Sequence, residues 1–233
     1  MKYIYGAFSD IGNYRPNNED TFYAGKCSTT IPIYVGMVCD GIGGLKNGEV
    51  ASEAIASHIA EWAAELDSEA TFEQVTKSFL NYIYLLNEQI CHHCQVNSIE
   101  TGSTMSAILI NEENFMAANV GDSRIYHISD TVSQITEDDV YPAVGNKRGN
   151  LRQCVGFNAK MYINTYYGTI QKNESILICS DGFYKQMDNM RMIKKCRGLH
   201  KHTNISKFIQ KEIELLKNKG ERDNITAYII KCF

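Results

Sequence analysis

The sequence predicts an α+β fold of four αββα layers, with two antiparallel β-sheets packed face to face and flanked by helices. Three observations carry this. Short apolar runs rich in β-branched residues stand at both ends of the chain, two long amphipathic stretches lie between residues 50 and 95, and from residue 104 onward short β-rich runs alternate with turns. Runs of that last kind are the pattern of antiparallel strands. Amphipathic helices of this type cover a sheet, and two sheets that share an interior leave only their outer faces for helices. With 233 residues and 44% hydrophobic content, one domain over 1–233 can bury about 70–75% of its unfolded surface. No internal repeat, low-complexity tract or linker divides the chain.

Taken in order, Tyr3–Asp10 reads as a strand, and a turn-rich segment, Asn13–Asn18, leads to Glu19-Asp20 and a short strand at Thr21–Ala24. Ile31–Cys39 is a further apolar strand, followed by a glycine-rich turn over 41–48. Val50–Leu66 places Ala51, Ala54, Ile55, Ile59, Trp62, Ala63 and Leu66 at helical spacing, and Thr71–Gln95 does the same with Phe72, Val75, Phe79, Ile83, Leu86 and Ile90. Strands are expected at Thr104–Ile110, Asn114–Asn119, Arg124–Ser129, Asn164–Tyr167, Ser175–Cys179 and Ile225–Cys232. Helical segments are expected at Gly182–Met187 and Asn204–Lys219. Residues 136–154 are polar and irregular, with Pro142 and several glycines, and read as a mobile loop.

Composition narrows the function. A net charge of −4 argues against a general nucleic-acid binder, which needs a basic surface to displace counterions. No apolar run approaches the roughly 20 residues that cross a bilayer, and Met1–Gly6 lacks the hydrophobic segment of a signal peptide. A cytoplasmic chain with no membrane or nucleic-acid partner is the expectation. The eight cysteines then read as free, buried thiols. Cys91-His92-His93-Cys94 has no second Cys or His pair at a zinc-site spacing. In a helix its cysteines share a face and its histidines point elsewhere, so core thiols are the better reading.

Several chemistries drop out on residue spacing. Glu49 stands where a Walker A loop needs Lys after Gly43–Gly48, and no His-Glu-x-x-His motif is present. A cysteine-nucleophile phosphatase needs Arg six positions after its Cys, and no cysteine here has one. What remains are five acidic clusters at Asp20, Asp40, Asp122, Asp181 and Asp223, three of them directly beside the strand-like runs Ile33–Cys39, Ser175–Cys179 and Ile225–Ile230. Carboxylates at the ends of buried strands repel one another unless cations lie between them, and hard ions such as Mg2+ and Mn2+ prefer oxygen ligands. Two such ions can lower the pKa of a shared water enough to make a nucleophile near neutral pH. Glycines at 41 and 182 leave the neighbouring backbone accessible, and Arg15 can hold phosphate oxygens bidentately.

Arg15-Pro16-Asn17-Asn18-Glu19-Asp20, Asp40-Gly41-Ile42-Gly43-Gly44, Thr101-Gly102-Ser103-Thr104, Gly121-Asp122-Ser123-Arg124, Ser180-Asp181-Gly182 and Arg222-Asp223-Asn224-Ile225-Thr226 occur in this order. The series resembles the successive motifs of the type-2C, metal-dependent serine/threonine protein phosphatases (PPM family), in a bacterial-type, single-domain form, and it spans nearly the whole chain. The resemblance implies a β-sandwich with the metal centre at one edge, in which Asp40 bridges two Mn2+ or Mg2+ ions and Gly41 offers its carbonyl. It also implies that Asp181 and Asp223 complete the first site, that Glu19 and Asp20 hold the second ion directly or through water, that Asp122 with Asp181 takes a third, weaker ion, and that Arg15 binds the substrate phosphate. Water would attack phosphoserine or phosphothreonine in line, with no phospho-enzyme.

Two departures matter. Ile42 stands where many eukaryotic members carry His, so water on a metal would have to protonate the leaving group. Residues 136–157 correspond to the flap and differ most from the family, with Lys147, Arg148 and Arg152 bearing on substrate choice. An isolated Asp-Gly is usually a turn, and Gly121–Arg124 also reads as a hairpin turn with an Asp122–Arg124 surface pair. Thr101–Thr104 reads as structural, and the charged run Arg191–His202 either attracts phosphorylated protein or is a solvated face. The partners implied are phosphorylated proteins of a cognate Ser/Thr kinase, acted on by a monomer. A phosphatase-fold regulatory module with little turnover, and a two-metal phosphodiesterase or nuclease, are the alternatives.

Overall fold

A computed structural model describes residues 1–42, 47–142 and 150–233. Two five-stranded antiparallel sheets form. One has the order β1 (Tyr3–Asp10), β10 (Ile225–Cys232), β9 (Ser175–Cys179), β6 (Arg124–Ile128), β7 (Val132–Gln134). The other has the order β2 (Asp20–Lys26), β3 (Ile33–Asp40), β4 (Met105–Asn111), β5 (Asn114–Val120), β8 (Asn164–Thr169). The first and last strands pair along their full length, from Tyr3 opposite Cys232 to Asp10 opposite Ile225. The fold class expected from sequence is the one observed.

The layers follow from the two-residue period of a strand. Along β3, Val35, Met37 and Cys39 meet α1 (Gly48–Glu65) and α2 (Phe72–Asn97), while Tyr34 and Val38 face the opposite sheet. Along β10, Ala227 and Ile229 meet α4 (Asn189–Arg197) and α5 (His202–Asn218), while Tyr228, Ile230 and Cys232 fill the space between sheets. Strands buried on both faces lose the apolar–polar alternation of a one-sided sheet, which is why β3, β9 and β10 read as continuous apolar runs. Thr71 begins α2 with a capping box: its hydroxyl accepts from Gln74 N–H while the Gln74 side chain accepts from Thr71 N–H.

The structure corrects several boundaries. The helix expected over Gly182–Met187 is a single turn, α3 (Asp181–Tyr184), because Asp188 opens a new helix by accepting from Arg191 N–H at 3.0 Å. That helix, α4, overlaps the charged run Arg191–His202 that reads from sequence as a solvated face. Only three of its residues, Met192, Ile193 and Cys196, are buried, too few for a visible apolar stripe. Strand β2 extends beyond Thr21–Ala24 at both ends, and the short hairpin strand β7 was not foreseen.

The loop expected to be mobile is anchored at both described roots. Asp139 accepts hydrogen bonds from Gly121 N–H (3.2 Å), Gln153 Nε2 (2.9 Å) and Asn164 Nδ2 (3.0 Å), and Val140 and Leu151 form an isolated bridge. Lys147 and Arg148 lie outside the described residues. All eight cysteines are free; Cys91 is buried and Cys94 half-buried, while His92 and His93 are exposed.

Candidate metal centre

Strand register creates the site. Asp20, the first residue of β2, stands directly opposite Asp40, the last residue of β3. Like charges in that position destabilise a ladder. Gly41 N–H then donates to Glu19 O at 2.9 Å, and a Cβ on Gly41 would fall 2.4 Å from Gly48 O and 2.7 Å from Glu19 O. The glycine is therefore needed for the close approach of these backbones. The same holds at Gly182, where a Cβ would stand 2.1 Å from Asn224 O.

The remaining members arrive from the other sheet. Asp181 begins α3 directly after β9, and Asp223 immediately precedes Asn224 and β10. Asn224 fastens the segment ahead of Asp20: its side chain accepts from Glu19 N–H (2.9 Å) and donates to Ile11 O (2.9 Å) and Asn17 O (3.0 Å). Ser180 Oγ donates to Asp20 Oδ2 at 2.7 Å and accepts from Thr226 N–H at 3.0 Å. Asp122 is buried, after Gly121 at φ +98°, and its carbonyl accepts from the Tyr184 hydroxyl at 3.1 Å.

Burial and mutual repulsion control the charges. Burial, followed by the fields of Asp20, Asp181, Asp122 and Asp223, holds the Asp40 carboxyl well above the ordinary range. Burial also raises Asp20, the Ser180 and Thr226 hydroxyls oppose that shift, and Asp181 and Asp223 add to it. Glu19 is raised by burial as well, with Arg15 opposing and Glu49 and Asp223 assisting.

Two cations reach into this acidic edge. Arg15 Nη2 lies 2.8 Å from Asp223 Oδ1. Lys185 Nζ lies 2.7 Å from Asp181 Oδ2 and 3.9 Å from Asp223 Oδ2. Sequence reasoning found Arg15 but missed Lys185, although its spacing of four from Asp181 places the two on one helical face. Thr101–Thr104 plays a structural part: Thr104 Oγ1 accepts from Asp40 N–H at 3.0 Å, Thr104 N–H donates to Asp40 O at 2.9 Å, and Ile42 N–H donates to Gly102 O at 3.0 Å. The suggested Asp122–Arg124 surface pair is corrected. Arg124 forks onto Asp138 (2.9 and 2.8 Å) and lies 3.8 Å over the Tyr184 ring.

Among the described residues, no three acidic, His or Cys side chains have donor atoms already gathered around one point. The carboxylates are turned to Arg15, Lys185 and Ser180 instead. The residues nonetheless suit hard divalent cations. The donors are oxygens, and buried Asp20 Oδ1 has no hydrogen-bond partner among the described residues, a costly arrangement unless a cation or water satisfies it.

Comparison with known proteins bears on the family and the fold. The family model for protein phosphatase 2C matches residues 16–222. The serine/threonine phosphatase stp of Listeria welshimeri is 27% identical over 243 residues, covering 96% of this chain and 93% of that protein. Among solved structures, the Streptococcus agalactiae serine/threonine phosphatase superposes with a TM-score of 0.86 at 20% identity over 100% of both chains. Stp1 of Staphylococcus aureus superposes at 0.85 and 22% identity, covering 100% of this chain and 96% of that one. At these identities the two structures speak for the fold.

Proposed function

The chain belongs to the protein phosphatase 2C family, and from that premise we propose that it is a metal-dependent protein serine/threonine phosphatase acting on phosphoserine and phosphothreonine. The observation that carries the reading is the pairing of buried Asp20 with partly buried Asp40, set opposite each other by strand register, with one Asp20 oxygen unpartnered among the described residues. A pair of divalent cations, Mn2+ or Mg2+, would supply an acidified water as nucleophile and neutralise charge developing on the phosphoryl oxygens. Asp40 would touch both cations, with the Gly41 carbonyl, Asp181 and Asp223 beside the first and Asp20 and Glu19 beside the second. Asp122 and Asp181 would take a third.

Arg15, half-exposed at the rim, would exchange Asp223 for the substrate phosphate and orient it bidentately. A covalent phospho-enzyme through cysteine is disfavoured. Burial pushes the thiols of Cys27, Cys154 and Cys196 up to about 12 and those of Cys39 and Cys179 higher still, so none of these five supplies a thiolate near neutral pH. Direct in-line attack by water is the route that the family resemblance implies. The enzyme is read as a single domain over 1–233, monomeric and cytoplasmic. Its partners are phosphorylated proteins of a cognate Ser/Thr kinase, and no described helix is long and apolar enough to cross a membrane.

Assay with p-nitrophenyl phosphate and a phosphothreonine peptide tests the reading. Turnover should require Mn2+ or Mg2+ and stop with EDTA; turnover that continues in EDTA sinks the metal mechanism. A second reading, a regulatory module with little turnover, draws on Arg15 and Lys185 already neutralising Asp223 and Asp181. Calorimetric metal binding without hydrolysis of any phosphopeptide would select it.

A further inference from the structure

Helices α4 and α5 border an open groove of about 480 Å3 on the outer face of the β1–β10 sheet. Arg191, Lys194 and Lys195 line it from α4, and Lys207 and Lys211 from α5. The one carboxylate in its wall, Glu212, is buried and both its oxygens accept from Arg191 Nε, at 2.8 and 2.7 Å. The four lysines are exposed and make no ion pair among the described residues. On a molecule whose net charge is −4, this local excess of cations is out of character.

Helix electrostatics account for only part of it. Lys194 and Lys195 lie in the last turn of α4, where cations complement the helix dipole. Lys207 and Lys211 lie in the middle of α5, where the dipole has no such effect, and they are four residues apart on one face. Like charges at that spacing destabilise a helix. Arg191 and Lys195 repeat the arrangement on α4. Glu212 compensates Arg191, so Lys207 and Lys211 are the pair that keeps a repulsion which a bound polyanion would relieve.

We propose that the α4–α5 groove is a docking site for an acidic segment of a partner protein. The shape favours a peptide over a bilayer: the charges line a concavity whose apolar residues, Leu199 and Phe208, are buried in its floor and offer no wedge to lipid. Nucleic acid is disfavoured because no aromatic face in the groove is exposed for base stacking. The identity of the partner as a phosphorylated substrate rests on the phosphatase reading; the docking chemistry does not.

The test is fluorescence anisotropy with a labelled, unphosphorylated Asp/Glu-rich peptide, which gives the metal centre no phosphate to hold. The wild-type chain should bind it, more weakly as salt rises, and Lys207→Gln/Lys211→Gln should lower the affinity about tenfold. A phosphopeptide carrying the same acidic tail should lose kcat/KM by a similar factor in the variant, with p-nitrophenyl phosphate hydrolysis unchanged. Equal peptide affinity in wild type and variant overturns the proposal, as does tighter binding of phosphatidylserine vesicles or single-stranded RNA than of the peptide. Complete absence of turnover would count against the phosphatase reading alone, because the binding measurement stands without it.

Discussion

The acidic edge and the basic groove both concentrate like charges, yet the structure treats them in opposite ways. At the edge, buried Asp20 and partly buried Asp40 stand opposite each other at the ends of their strands, and desolvation pushes both carboxyls toward their neutral forms. In the groove, Lys194, Lys195, Lys207 and Lys211 stay in solvent with no ion-pair partner among the described residues, and water and salt screen their repulsion. Charge repulsion therefore becomes a strong demand for a counter-ion only where water is excluded. The edge calls for cations of high charge density, and the groove attracts a partner only loosely.

The largest expected effect breaks the edge. Asp40→Asn should lower metal-dependent kcat/KM on a phosphothreonine peptide about 10³-fold, since cation stabilisation of the transition state amounts to several kcal/mol. The same change removes one of two carboxylates set opposite each other by strand register. The metal-free variant should therefore melt roughly 2–4 °C higher than wild type in calorimetry. A variant that loses activity and metal-free stability together would contradict the repulsion at the heart of the comparison.

Next comes pH. Both carboxyls have folded-state pKa values raised above their unfolded values, so their contribution is fully present below the ordinary aspartate range. It is lost as pH rises through the raised folded values. Metal-free protein should thus lose thermal stability between mildly acidic pH and neutrality. Mn2+ at about 100 times its Kd should restore about 2.7 kcal/mol at neutral pH. A flat metal-free profile would mean that the edge is not electrostatically frustrated.

A smaller effect is expected at Lys185, whose ammonium contacts Asp181 and approaches Asp223. Lys185→Met should raise Mn2+ affinity about two- to fivefold in a calorimetric titration, the scale of a partly exposed ion pair. Unchanged affinity would show that this lysine does not compete for the carboxylates. Smallest of all, Lys207→Gln/Lys211→Gln should stabilise the isolated chain by about 0.2–0.5 kcal/mol, read as the denaturation midpoint. A loss of stability there would mean that the lysines pack, and that the groove's repulsion is already compensated.

Much of this was legible in the chain itself. Continuous apolar runs announced strands buried on both faces, and Asp20, Asp40, Asp181 and Asp223 fell at or near strand ends because acidic residues interrupt such runs. Less legible was α4, whose three buried residues are outnumbered by charges. Arg124 could not be assigned to Asp138 in place of Asp122, because a side chain's choice between two nearby carboxylates depends on direction as well as separation along the chain.

By itself, the sequence determined the four-layer architecture, the inventory of carboxylates and the oxygen-rich chemistry they favour, since hydrophobic period and residue type are local properties. Only the tertiary structure decided that Asp20 stands opposite Asp40, that Arg15 and Lys185 hold Asp223 and Asp181, and that five basic residues share one groove. These are encounters between residues distant in sequence or set by side-chain direction. Strand register and helix packing bring them about, and no local pattern encodes them.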